Sequence, residues 1–193
     1  MNNIAIFASG SGTNAENIIR YFADNKNINV AVVLSNNRKV GVHERVNKLN
    51  VPSFVFTRDE FTEGTPVIDK LAEYNVNFIV LAGFMNKISE PLLNAFPHKI
   101  VNIHPALLPR HGGKGMYGMH VHNAVVAAGD KESGITIHYI DENYDEGTTI
   151  FQAACPVLPT DTPEDVAAKV HALEYTHYPE VIESLLRPHK QTY

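Results

Sequence analysis

The sequence predicts an α/β domain with a doubly wound, mainly parallel sheet, antiparallel additions at one edge and a long C-terminal helix. Three features predict it: short apolar runs alternating with helix-compatible stretches, a change to period-two alternation after Gly129, and a capped amphipathic stretch from Thr162. Alternating strands and helices require crossover connections, and right-handed crossovers place helices on both sheet faces.

Ile4 to Ala8 reads as a buried strand, followed by the loop Ser9-Gly10-Ser11-Gly12-Thr13-Asn14 and a helix carrying Ile18, Ile19 and Phe22 on one face. Further strand-like runs occupy Val30 to Leu34, Pro52 to Phe56, Phe78 to Ala82 and Ile100 to Ile103, with helical stretches at His43 to Leu49, Val67 to Tyr74 and Glu90 to Ala95. A helix is also predicted over Val121 to Ala128. Beyond Gly129, Gly134 to Ile140 and Thr148 to Cys155 read as two edge strands joined by an acidic turn. Thr162 then suits an N-cap, Pro163 the first helical position, and Glu164 and Asp165 the positive helix end. Val166, Val170, Leu173, His177, Val181 and Leu185 form the predicted buried stripe, which Arg187-Pro188 ends.

With 193 residues, 44% hydrophobic and 19% charged, the chain can bury a sizeable core, and no linker-like or highly charged tract divides it. One domain is expected over residues 1–187, with a loose tail at 188–193. The formal charge of -5 opposes a broad nucleic-acid or membrane surface but permits a local basic pocket. No apolar segment reaches the roughly 18 to 20 residues of a membrane span, and Met1-Asn2-Asn3 lacks the order of a signal peptide, so a cytoplasmic location is expected. Cys155 is the only cysteine, which excludes an internal disulfide and a thiolate zinc cluster.

Three segments carry candidate chemistry. In Gly10-Ser11-Gly12-Thr13-Asn14, missing β-carbons let backbone N–H groups approach an anion at a helix N-terminus; the same residues also suit a plain tight turn. The dinucleotide fingerprint is absent, because residue 15 is alanine, and so is a Walker lysine. Asn102 and His104 lie on one side of the fifth strand near its C-terminal end, where open α/β sheets place their crevice. An amide can stabilise an oxyanion and an imidazole can move a proton, although strand capping and a backbone hydrogen bond would occupy the same two side chains. Asp145 suits a turn, and it would pair with His104 and favour its protonated form if the loop folds back to that strand end. His120 and His122 diverge on a helix and no His-Glu-x-x-His pair is present, so no metal is expected. Gly112-Gly113-Lys114-Gly115 reads as a mobile loop able to close over an anion.

Ala8 to Asn14, Leu81-Ala82-Gly83-Phe84-Met85, Asn102-Ile103-His104-Pro105-Ala106-Leu107-Leu108-Pro109 and Asp141 to Gly147, in that order, resemble the phosphoribosylglycinamide formyltransferase family, the folate-dependent glycinamide ribonucleotide transformylases of purine synthesis. The resemblance implies transfer of a formyl group from 10-formyltetrahydrofolate, as cosubstrate, to the amine of glycinamide ribonucleotide, with residues 1–187 as a single formyltransferase domain. It implies Asn102, His104 and Asp145 as catalytic residues, Gly12, Thr13, Asn14 and Glu174 as contacts for the ribonucleotide, and Met85, Asn86, Lys87, Ile88, Asn102, Asp141 and Tyr144 as the folate side. Neither metal nor covalent nucleophile is implied, and the oligomer is left open between monomer and homodimer. Asn86-Lys87 stands where many family members carry arginine, which makes Lys114 a candidate source of replacement charge. The Asn-x-His-Pro segment is shared with formyltransferases for other acceptors and with a deformylase, whose additional domain 193 residues do not accommodate. A non-catalytic nucleotide-binding module would explain only the first loop.

Overall fold

The computed structural model describes residues 1–142 and 145–187, so the expected tail at 188–193 lies outside the described residues. The elements run β1 (Asn2–Phe7), α1 (Thr13–Phe22), β2 (Ile28–Ser35), α2 (Val42–Asn47), β3 (Ser53–Val55), α3 (Arg58–Glu63), α4 (Thr65–Glu73), β4 (Phe78–Leu81), α5 (Glu90–Ala95), β5 (Ile100–His104), α6 (Met119–Ala128), β6 (Glu132–Tyr139), β7 (Thr149–Pro156) and α7 (Pro163–Leu186). They build one seven-stranded sheet in the order β3-β2-β1-β4-β5-β6-β7. The first five strands are parallel, and β6 and β7 add antiparallel at one edge, as the change of pattern after Gly129 predicts.

Period two divides the core. Ile4 and Ile6 of β1 join a cluster with Ile18, Ile19 and Phe22 of α1 and Val166 and Val170 of α7, whereas Ala5 and Phe7 join Phe61, Val67, Leu71 and Leu92 of α3, α4 and α5 on the other face. A bulge opposite Ile4/Ala5 resets the alternation in β2, so Val30 and Val33 share one face and Val32 and Leu34 the other. Helix α3 is the element that apolar periodicity does not reveal, because Phe61 is its one buried residue. Its signal is the Thr57-x-x-Glu60 capping box, which forms with both reciprocal bonds.

Helix α7 starts on the predicted Thr162 cap, with Asp165 closing the box. Its stripe departs from the prediction in the second half. Glu174, Tyr178 and Ile182 are buried, while Leu173, His177, Val181 and Leu185 are only partly covered. Pro179 inside the helix lacks an N–H for the Tyr175 carbonyl, and Asn17 Nδ2 of α1 donates to that oxygen at 2.9 Å. The helix therefore docks on α1 at the turn where it has lost its own bond. The fully buried Tyr178 hydroxyl lies 2.8 Å from the Leu81 carbonyl and 3.3 Å from that of Val101, tying α7 to the ends of β4 and β5.

Tyr178→Phe keeps the ring and leaves those carbonyls without the hydroxyl. It is expected to lower the unfolding free energy by about 1 kcal/mol, read as a lower urea midpoint at unchanged slope.

Candidate active site

The strand order reverses between β1, which leads on to β2, and β4, which leads on to β5, so the loops leaving their C-terminal ends part and open a crevice. A cavity of about 730 Å³ lies there. Its rim is stitched at the reversal: Ser9 N donates to the Gly83 carbonyl at 3.0 Å, and Met85 N donates to Ser9 Oγ at 3.1 Å. Beneath, Phe84 packs against Phe7 and Phe61, each with centroids 5.5 Å away, and fixes where the next residues enter the wall.

On one side of the crevice Gly12 holds the N-cap of α1 with φ 79°, and a β-carbon there would fall 2.5 Å from Val42 Cγ2, so glycine is required. No side chain caps this helix, and the positive end of its dipole meets the cavity at Gly12, Thr13 and Asn14. Asn14 Nδ2 donates to Glu174 Oε2 at 2.9 Å, while Asn14 Oδ1 is buried without a partner among the described residues. His171 Nδ1 reaches the same carboxylate oxygen at 2.9 Å, and this hydrogen bond raises the His171 pKa. Glu174 is 5% exposed, so a carboxylate predicted here as a substrate contact is a buried group held by two donors.

The register of the edge strands builds the centre. Asn102 of β5 pairs across from His138 of β6, and His104 from Thr136, so four polar side chains share the face that Ile103 and Ile137 leave. Thr136 Oγ1 donates to the Ala106 carbonyl at 2.7 Å and accepts from Leu108 N at 2.9 Å, holding the turn that follows His104. The acidic loop does fold back: Asp145, at φ 55°, lies 3.5 Å from His104 Nδ1 and 3.6 Å from His138 Nε2. Gly113 N donates to Asp145 Oδ2 at 2.9 Å. His104 Nε2 contacts the His111 carbonyl at 2.8 Å. The two ring nitrogens of His104 thus face different partners: Nε2 serves a backbone bond, and Nδ1 faces the carboxylate.

His138 is the residue that the sequence reading missed. It is fully buried, and burial lowers its pKa, favouring the neutral ring. Nδ1 then donates to the Tyr139 carbonyl at 3.0 Å, and Nε2 accepts from Asn102 Nδ2 at 3.2 Å, which orients the Asn102 amide. The signal was its period-two spacing from Thr136, legible only once β6 is known to pair with β5. His122 also lines the cavity, 2% exposed, with Nδ1 unpartnered among the described residues and a pKa lowered by burial.

On the other side of the crevice, Met85, Asn86, Lys87 and Ile88 line the wall after β4, with Asp141 and the exposed Lys114 also on the cavity. Tyr144 lies outside the described residues. Every other predicted site residue lines this one cavity. His120 is exposed and His122 buried, and among the described residues no three His, Cys, Asp or Glu side chains could hold a metal ion together. No described helix is long and apolar enough to cross a membrane.

The formyl transferase family model matches residues 2–182. The chain belongs to the formyl transferase family. Among relatives of this formyl transferase, the chloroplastic phosphoribosylglycinamide formyltransferase of Arabidopsis thaliana is 39% identical over 188 residues, which cover 94% of this chain and 64% of the plant protein. The chain thus spans less than two thirds of that relative's length. The phosphoribosylglycinamide formyltransferase of Bacillus subtilis (strain 168) is 37% identical over 191 residues, covering 96% of this chain and 95% of the relative. The crystal structure of phosphoribosylglycinamide formyltransferase from Bacillus halodurans superposes with a TM-score of 0.89 at 35% identity, covering 100% of this chain and 99% of the other.

Because burial depresses the His138 pKa, the neutral ring contributes stability that is fully present above the unfolded value near 6.5 and is lost as pH falls through the lower folded value. The stability difference between the wild type and His138→Gln should therefore narrow between pH 7.5 and 5.5 in urea titrations. A difference that widens toward acid would show that the ring is charged in the folded protein.

Proposed function

We propose that this chain transfers a formyl group from 10-formyltetrahydrofolate, as cosubstrate, to the amine of glycinamide ribonucleotide. Family membership and the names of its relatives support the reaction class. The observation that carries the assignment is the meeting of Asn102, His104 and Asp145 on the wall of a cavity that also holds an uncapped helix N-terminus.

The acceptor phosphate sits on the N–H groups at Gly12, Thr13 and Asn14, where the geometry of α1 offers donors and positive potential. Glu174 and Asn14, already bonded to each other, meet the rest of the ribonucleotide. The folate lies along residues 85 to 88 and Asp141, with Lys87 and Lys114 supplying charge for an acidic tail. The bound folate supplies an electrophilic formyl carbon.

As the amine attacks, negative charge gathers on the formyl oxygen. The Asn102 amide, oriented by His138, and the Nδ1 side of His104 stabilise it. His104 donates from Nε2 to the His111 carbonyl, so an Nδ1 that also donates makes the ring an imidazolium, and Asp145 is its counter-charge. Burial withholds that role from His138, and one carboxylate is therefore matched to one cation. Asp145 also orders the water through which the amine loses its proton, and a proton passes to the folate N10 as its bond to the formyl carbon breaks, leaving the formylated amine and tetrahydrofolate.

The test is a coupled absorbance assay of formyl transfer, run with and without glycinamide ribonucleotide. Folate turnover that needs no acceptor would make the enzyme a deformylase. His104→Ala is expected to lower kcat by about a hundredfold or more while both substrates still bind, since its contribution arises in the transition state. Unchanged turnover would remove His104 from the mechanism.

Thr13→Asp places a carboxylate beside the substrate phosphate, so the acceptor KM should rise at least about tenfold and the folate KM stay within about twofold. Equal effects on both would return the Gly10–Asn14 loop to a structural turn.

A further inference from the structure

We propose that His111 and Asp130 form a positioning pair that holds the catalytic imidazole in one orientation, an inference that rests on His104 acting as described above. Among the described residues, His104 Nε2 has one hydrogen-bond partner, the backbone carbonyl of His111 at 2.8 Å. That carbonyl is not part of a helix or strand. It belongs to a residue at φ 53°, in the left-handed region that non-glycine residues keep only where neighbours hold them. The His111 side chain supplies such a hold: its Nε2 lies 2.6 Å from Asp130 Oδ2, with the two side chains 16% and 20% exposed. Asp130 itself follows the C-terminal end of α6, and its backbone N–H bonds back to the Val125 carbonyl at 3.3 Å.

The pair thus ties the loop after β5 to the end of a helix whose Val125 is buried in the core. Its consequence at His104 is chemical. An Nε2–H held by a carbonyl leaves Nδ1 as the nitrogen available to Asp145 and the reacting formyl group. Release of the His111 carbonyl would let the ring rotate, and a misplacement of about 1 Å is enough to cost on the order of a hundredfold in rate. Neither His111 nor Asp130 lines the cavity, so neither touches the reacting groups itself.

The experiment reads the ring directly. In 15N-histidine-labelled enzyme without substrates, His104, assigned by comparison with His104→Gln, should show a slowly exchanging Nε2–H resonance. Asp130→Ala and His111→Phe should lose that resonance and lower kcat between about tenfold and a hundredfold, with both KM values within about twofold. Asp130→Asn keeps an acceptor oxygen for His111 and should retain the resonance and most of kcat. Absence of the Nε2–H resonance from the wild type, or its survival together with full kcat in both disruptive variants, would overturn the proposal. The resonance is read with no turnover, so it separates failure of the pair from failure of the formyl-transfer reading, and it remains decisive if a disruptive variant does not fold.

Discussion

The carboxylate of Asp145 is where two stretches distant in sequence, one carrying His104 and Gly113 and the other His138 and Asp145 itself, have to meet. It accepts the Gly113 N–H from the loop after β5, faces His104 at the end of β5, and faces His138 on β6. Each of those contacts constrains a different part of the chain. The bond from Gly113 pins the glycine-rich segment against the acidic turn, and there is little slack: a β-carbon on Gly112 would lie 3.6 Å from Asp145 Cβ and 2.5 Å from Leu108 Cδ2. The antiparallel register sets Tyr139 opposite Val101, so the acidic turn leaves β6 beside the start of β5 and has to fold back past the Asn102–His138 pair to bring Asp145 to His104.

Two imidazoles beside one carboxylate pose a problem of charge, and burial resolves it. A fully enclosed His138 loses more by desolvation than it recovers from Asp145, so it stays neutral and spends its nitrogens on the Tyr139 carbonyl and the Asn102 amide. That neutral ring is useful in its own right. An Asn side chain at a strand end can present either its oxygen or its nitrogen, and an acceptor at His138 Nε2 selects the orientation with nitrogen toward it. The amide and the imidazole of β5 are thereby set by different partners: one by a buried ring opposite, the other by a loop carbonyl.

Much of the fold was legible because its determinants are local. Alternating apolar runs announce the parallel strands, Thr162-Pro163 announces α7, and the loss of long apolar runs after Gly129 announces the antiparallel edge. The site residues on strand and helix ends were legible for the same reason, since position in an open α/β sheet already implies nearness to the crevice. What was not legible depends on register or phase. His138 matters because β6 pairs with β5 in a register that sets it opposite Asn102, and nothing in the sequence of either strand states that pairing. Helix α3 buries one apolar residue, too few for any periodicity, and shows itself only in its cap. The stripe of α7 was misplaced past Val170 because Leu173, His177, Val181 and Leu185 are apolar or aromatic at helical spacing, whereas the buried positions include a glutamate and a proline.

That misplacement carries its own argument about the site. A stripe chosen by hydrophobicity alone would turn Glu174 away from the core, yet the helix turns it inward. The phase is set by the Tyr178 hydroxyl reaching the Leu81 and Val101 carbonyls and by Asn17 taking the Tyr175 carbonyl that Pro179 leaves open. The first contacts are buried and the last is exposed, and together they bring a carboxylate to the cavity wall, where Asn14 and His171 satisfy one of its oxygens. Burying a carboxylate costs stability unless it is paired, and the same volume filled by leucine would carry no such cost. The helix thus holds Glu174 beside the α1 N-terminus against the preference of its own apolar residues, and β4, β5 and Asn17 of α1 supply the anchors that let it do so.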